Sequence, residues 1–469
     1  MNHKQLASKF HLRFFLKLLA KRQLDTYRES VPFAVSKLRI NDGLKKSYFC
    51  ASVVSALSAN NALYPMKKKQ VIIIGGGAAG FFCAANLDEK LFEVTILEQN
   101  SEVLQKVKIS GGGRCNVTHA CFDPKELVSY YPRGNKELLS VFHKFQPGDT
   151  MEWFEQRNVS LKIEKDNRIF PESNSSQTII HTLTNEVSRK NFQVKTKSVV
   201  LEIDKLENRY LVKTNEQNYF ADYVVYATGS SPKSLKLIQN LGHQIVEAVP
   251  SLFTFNIKNE TLKDLMGTSF AHAEVAIPKL KMVESGPMLI THWGLSGPAI
   301  LKISAWKARE LAAAKYQFEI LVNFLGIDLE TAEEIFKKFR QNHPKKTIGS
   351  SKIFEITSRF WHRILWLSKV DLEKNISNIS AKEIQWILTN LCANSMKVSG
   401  KSTYKEEFVT AGGVDLKEIN FKNMSSKILE NFYLAGEVLD IDAVTGGFNF
   451  QACWSEAWLI AQDLNSKVF

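Results

Sequence analysis

Six consecutive residues, Gly75-Gly76-Gly77-Ala78-Ala79-Gly80, carry the spacing GxGxxG. Each glycine has a mechanical task in gripping a diphosphate. Gly75 permits a tight turn out of a strand. Gly77 leaves no side chain between the backbone and a pyrophosphate. Gly80 lets the next helix pack close to the strand. The helix start, with Ala79 in its first turn, offers N–H groups and a partial positive charge to the phosphates. Glu98 follows at about the 20-residue distance where an acid accepts hydrogen bonds from an adenosine ribose. The same acid disfavours a 2′-phosphate, so NADP at this loop is not expected. The fingerprint alone does not separate FAD from NAD.

These residues need a strand before them and a helix behind. Val71–Ile74 is a short, fully apolar, β-branched run, which reads as a buried parallel strand. Gly80–Leu87 reads as a helix and Phe92–Leu97 as a second strand, completing a β-α-β unit. Asn100–Pro132 is loop-rich, and residues 137–157 look helical. Phe192–Thr214 alternates apolar and polar residues, as in a hairpin or meander. Tyr223–Ala227 is another buried strand, ending at Thr228-Gly229. Residues 251–325 hold short strand-like runs broken by Pro and Gly. Residues 328–393 carry apolar residues at helical spacing, and Phe432–Ala435 and Phe450–Leu464 return to strand and helix. The fold class expected is α/β. A discontinuous Rossmann-like domain (66–250 and 405–469) is interrupted by an insertion at 251–404. The insertion is β-barrel-like over 251–325 and helical over 326–395.

Bulk composition narrows the function. Residues 1–65 hold 11 Lys/Arg and 3 Asp/Glu, so this extension carries +8 of the net +13. The basic balance is therefore a poor argument for nucleic acid, and none is expected as a partner. The basic run Lys337–Lys346 reads first as a solvated helix face. Phe10–Ala20 is too short and too charged to span a bilayer, so no stable membrane insertion is expected. Two readings of 1–65 stay open: a dispensable stretch upstream of a natural start at Met66, or a targeting segment. The six cysteines form no CxxC pair and no zinc spacing. A reduced, cytoplasmic setting without a metal site is expected.

Four further motifs stand in order along the chain. They are Lys108-Ile109-Ser110-Gly111-Gly112-Gly113-Arg114-Cys115-Asn116-Val117-Thr118, Thr291-His292-Trp293-Gly294-Leu295-Ser296-Gly297-Pro298, Ala435–Asp442 (AGEVLDID) and Thr445–Gln451 (TGGFNFQ). Together they resemble the YhiN/BaiN flavoprotein family, also described as NAD(P)/FAD-dependent or aminoacetone-oxidase-like. The resemblance runs from Lys68 to the C-terminus. It implies FAD, a Rossmann-like domain similar to the glutathione-reductase and fumarate-reductase types, and an inserted β-barrel plus helical region.

The resemblance also suggests roles. Lys108, Ser110, Gly111, Gly113, Arg114 and Asn116 would follow the ribityl–pyrophosphate chain or the flavin edge. A salt-bridged Arg114 in a structural loop is the competing reading. Thr228 and Gly229 would pass under the FAD. Gly436 and Glu437 would meet the ribityl hydroxyls. Gly446, Gly447 and Asn449 would open a helix aimed at the flavin N1–C2=O edge, where reduction develops negative charge. Asp440 and Asp442 fit a solvated loop or helix cap as well as a flavin contact.

The expected function is an FAD-dependent oxidoreductase. It would reduce or desaturate a small or mid-sized organic substrate by hydride transfer at flavin N5. Such chemistry needs a proton donor or acceptor. His292 is the first choice, with a hydrogen-bonded histidine at a domain junction as the plainer reading. Arg168, with Arg114, could hold a carboxylate or enolate. One fingerprint is present, so NADH or NADPH as reductant would bind transiently over the flavin. The alternatives are an RNA-directed flavoprotein and a non-catalytic flavin-binding module. The oligomeric state is open. Two departures from the family pattern stand out: Glu456-Ala457 after Trp454-Ser455, where the family often has glycine, and Asp166–Pro171 (DNRIFP), which lacks a glycine before the arginine.

Overall fold

The strand Lys69–Ile74 sits at the centre of a sheet and is buried over Val71–Ile74. In the computed structural model, which describes residues 67–402 and 409–467, it pairs in parallel with Phe92–Leu97 on one side and Tyr223–Tyr226 on the other. Ile72 lies opposite both Thr95 and Val224. Gln193–Lys195 extends the parallel sheet beyond Phe92–Leu97, and Phe432–Leu434 extends it beyond Tyr223–Tyr226. Two short antiparallel strands, Ile419–Asn420 and Ser425–Ser426, finish that edge. Strands covered on both faces need side chains that are apolar throughout, which explains the unbroken runs VIII and YVVY. The readings of residues 1–65 and of Met66 lie outside the described residues.

Two helices pack together beside this sheet. Ala78–Asn86 follows the first strand directly, and Phe448–Lys467 packs along it. Phe82 lies with its ring 4.5 Å from Trp153 and 5.1 Å from Trp454, locking the two helices into one core. Tyr210–Thr214 pairs with Val200–Lys205 and Asn218–Ala221 in a three-stranded meander, as the alternating pattern suggested.

Between Tyr226 and Phe432 the chain builds a second hydrophobic core. Its sheet has seven antiparallel strands, and the two outermost, Asn394–Val398 and Gly400–Ser402, are joined by one residue. The sheet therefore curls round on itself. Leu329–Asn342, Ser358–Leu367 and Ala381–Cys392 form the helical part of the insertion.

Several expectations differ from the structure locally. The helical stretch 137–157 is two helices, Asn135–Phe142 and Pro147–Glu155. Pro147 cannot continue a helix but starts one well. The loop-rich stretch 100–132 contains the helix Gln105–Gly113, which packs on Ser176–Arg189. Pro298–Trp306 and Ala308–Ala313, inside a region read as strands, are helices.

Candidate FAD site

The three fingerprint glycines differ in what a side chain would meet. At Gly75, φ is +113° and an added Cβ would lie 2.2 Å from the Ala227 carbonyl oxygen. At Gly80 it would lie 2.1 Å from the Gly75 carbonyl oxygen. At Gly77 nothing stands within 4 Å. The outer two glycines are therefore demanded by the protein itself, and the middle one faces open space. No side chain caps the helix at Gly77, and its first turn holds no acid. Its N–H groups and partial positive charge are directed to that space.

Glu98 braces the loop from the next strand and is buried. Its Oε2 accepts from the Gly76 N–H at 2.8 Å, and its Oε1 accepts from both nitrogens of Asn100 at 2.8 Å. Oε2 keeps a second lone pair for a ribose hydroxyl. Thr228 donates to the Gly229 carbonyl at 3.2 Å, and Gly229, at φ +70°, also faces open space.

The second glycine loop is the broken end of Gln105–Gly113. Ser110 leaves the helix at ψ 146°, and Gly111, Gly112 and Gly113 all take left-handed φ values. Gly111 abuts Phe170, whereas Gly112 and Gly113 are open. Lys108 pairs with Glu102 at the surface, at 3.0 Å, and the Ser110 hydroxyl donates to the Val107 carbonyl at 3.0 Å. Arg114 forms a salt bridge to Glu164 at 2.7 Å and lies 3.9 Å from the Phe170 ring centre. Arg168 approaches the same ring at 5.3 Å and pairs with Asp166 at 2.7 Å. The structure thus brings the two arginines together around Phe170, each already matched by a carboxylate. Asn116 is buried, and its Oδ1 has no hydrogen-bond partner among the described residues.

That orphan acceptor points at the start of the closing helix. A Cβ on Gly447 would lie 2.8 Å from Asn116 Oδ1 and 2.6 Å from the Thr118 carbonyl oxygen. Asn449 closes the preceding turn through Ala443, at 3.0 and 3.3 Å. Gln451 is fully buried and accepts from Thr118 at 2.6 Å and Thr150 at 3.0 Å. Gly436 donates its N–H to Glu456 Oε2 at 2.6 Å, and Glu437 pairs with Lys106.

Sequence reasoning named the backbone positions and missed three side chains. His119 bonds through Nδ1 to the Gly446 carbonyl at 3.1 Å. Lys106 is the cation beside Glu437. Glu456 is fully buried, with Oε1 unpartnered among the described residues, and burial pushes its carboxyl up to about 8. Glu456 had a signal: an acid inside the apolar stretch FQACWSEAWLI has no aqueous face. His292 is placed at the exposed tip between Met282–Ile290 and Gly294–Ser296 in the inserted sheet. Its ring lies beside Trp293, and among the described residues its side chain forms no hydrogen bond.

Asp440 and Asp442 are spoken for by cations. Asp440 pairs with Arg309 at 2.6 Å. Asp442, fully buried, pairs with both arms of Arg133 and accepts from Ser251 at 2.7 Å. Arg133 also donates to the Ala305 carbonyl at 2.8 Å. These bonds bolt the closing segment to the inserted region. Arg133→Met leaves Asp442 buried without its cation, and should destabilise the protein by about 3–5 kcal/mol. Urea unfolding monitored by tryptophan fluorescence checks this.

A parallel sheet, a fingerprint loop whose middle glycine faces open space, and a second helix N-terminus beside an unpaired acceptor define a Rossmann-type dinucleotide-binding protein. The family model described as "HI0933-like protein Rossmann domain" matches residues 69–463, and the chain belongs to this family of FAD-dependent oxidoreductases of the YhiN/BaiN type. The chain is 28% identical to a protein named ribosomal RNA dihydrouridine synthase from Escherichia coli (strain K12). That match covers 82% of this chain and 95% of the relative. A protein of the same name from Haemophilus influenzae is 26% identical, over 83% of this chain and 96% of its own. The 3-dehydro-bile acid delta(4,6)-reductase of Clostridium scindens is 27% identical, over 78% of this chain and 91% of its own. No described helix is long and apolar enough to cross a membrane.

Proposed function

We propose that this flavoprotein reduces a carbon–carbon double bond conjugated to a carbonyl group in a small or mid-sized organic substrate. The observation that carries the reading is the open cradle at Gly77, lined by the free start of Ala78–Asn86. Gly75, Gly77, Ala79 and Gly80 would hold the diphosphate, and Glu98 the adenosine ribose. Gly436 and Glu437 would meet the ribityl chain. Gly446 and Gly447, at the start of a 20-residue helix, would stabilise negative charge at the pyrimidine edge of the ring. Asn116 Oδ1 offers that edge an acceptor for an N–H group. Bound there, FAD supplies hydride transfer at N5. Arg114 and Arg168 would orient a carboxylate or enolate oxygen, once drawn from their acidic partners. The relatives' names support reduction, because one is named a delta(4,6)-reductase and two are named for making a dihydro product. NADH or NADPH would serve as reductant, visiting the flavin without a second Rossmann domain.

A second reading places the reacting ring in RNA. Two relatives are named for ribosomal RNA, and most of the net positive charge outside residues 1–65 lies on the helical insertion. Residues 329–392 hold eleven Lys/Arg against seven Asp/Glu. The test begins with the visible spectrum of the purified protein. A yellow protein whose flavin band bleaches anaerobically with NADH or NADPH, and recovers on adding 2-cyclohexen-1-one, supports the first reading. Recovery only with ribosomal RNA, with a two-hydrogen mass gain on a uridine, supports the second. A protein that stays colourless after soaking with FAD ends both.

A further inference from the structure

Electron-pair chemistry at an electron-poor carbon must be balanced by a proton, and a group at the site has to carry it. His119 lies on the short strand Thr118–His119, held by the helix Phe448–Lys467. Thr118 donates to Gln451, and Trp454 donates to the Val117 carbonyl at 2.9 Å. Across the strand pair, His119 stands opposite Arg168. Its ring packs 4.5 Å from Phe448 and 5.8 Å from Tyr130, which itself stacks on Phe448 at 4.3 Å.

The Gly446 carbonyl can only accept, so Nδ1 carries a hydrogen in every protonation state of the bound ring. Nε2 is left as the titrating atom, and it has no hydrogen-bond partner among the described residues. The charges that face the ring are Asp166, Glu126 and Arg168, with Tyr130 beside it. Burial pushes the imidazole below the usual histidine range, and Arg168 pushes the same way. The Gly446 carbonyl, Asp166 and Glu126 pull upward and lose to burial. At neutral pH His119 is therefore an uncharged base until negative charge develops nearby.

We propose that His119, rather than His292, is the proton-holding group of this site, its Nε2 facing the ring end of the bound cofactor. This rests on the FAD reading above. Nε2 takes a proton from solvent when that end gains electrons, and gives it to the substrate carbon or enolate oxygen as the cofactor's hydride is delivered. His119 returns to its neutral form. One hydride and one proton then account for the two hydrogens gained.

The test needs no substrate. The histidine NMR titration of the FAD-loaded protein is followed before and after dithionite reduction. Reduction should raise the His119 pKa by about one unit or more, the size expected for a new opposite charge within about 6 Å. The midpoint potential of bound FAD, measured from pH 5 to 9, should change slope at the His119 pKa, and His119→Gln should abolish that break while retaining yellow protein. A pKa unmoved by reduction, or a break that survives in His119→Gln, overturns the proposal and leaves the FAD reading standing. A wild-type protein without colour takes down the reading itself.

Discussion

Gly77→Asp should weaken FAD binding strongly without harming the fold. Nothing stands within 4 Å of the new Cβ, and the backbone there is extended, so the apoprotein meets no clash. Aspartate is a preferred cap, and its charge suits a helix start, so the apoprotein should gain up to about 1 kcal/mol. The diphosphate sees the reverse. Two like charges about 5 Å apart near a protein surface repel by about 3 kcal/mol, before any steric conflict. Affinity should fall at least about 100-fold. Gly75→Ala is the contrasting variant. Its Cβ would stand 2.2 Å from a backbone oxygen at φ +113°, so it should damage folding and binding together. Unfolding curves of the apoproteins and FAD fluorescence titrations separate the two. If Gly77→Asp still copurifies with stoichiometric FAD, the cradle is misassigned.

The second large effect is on stability and depends on pH. Glu456 is buried with a carboxyl raised to about 8, against about 4.5 for the free side chain. Below pH 4.5 the folded and unfolded chains both hold the proton, and the site costs nothing. Above it the unfolded chain releases the proton and the folded chain keeps it. Stability is therefore lost as pH rises from 4.5 to 8, by about 1.4 kcal/mol per unit. Glu456→Gln cannot titrate and still accepts from the Gly436 N–H. The apoprotein variant should gain on the wild type as pH rises, reaching about 3 kcal/mol more by pH 7 than the difference near pH 4.5. Urea midpoints at pH 5 and 7 measure this. Parallel shifts of both proteins with pH would show that Glu456 titrates normally.

Backbone demands were the legible part of this site. A glycine at positive φ or against a carbonyl oxygen leaves its mark on the sequence wherever it occurs, so Gly75, Gly80, Gly446 and Gly447 stood out. Buried parallel strands did the same through unbroken apolar runs. Partnerships across the chain left no such mark. Thr118 meets Gln451, Arg133 meets Asp442, and Lys106 meets Glu437, each more than 300 residues away. No local pattern encodes a pairing of that span. Arg114 finds its carboxylate at Glu164, the salt-bridged reading the sequence also allowed, and Arg168 finds its own at Asp166, two residues away. His119 was hidden by such a span. Its setting is made by Gly446 and Phe448, while His292 drew notice because it sits beside Trp293 in a loop bounded by Gly and Pro.

The order of strands in the central sheet also has a consequence for biosynthesis. Tyr223–Tyr226 needs Phe432–Leu434 as its neighbour, and the latter is translated about 200 residues later. At ribosomal rates of roughly 5–20 residues per second, that edge stays unpaired for about 10–40 s, while the insertion between them folds on its own core. A nascent or prematurely terminated chain would thus present an open parallel edge and a half-built nucleotide cradle, the form that chaperones and proteases meet first.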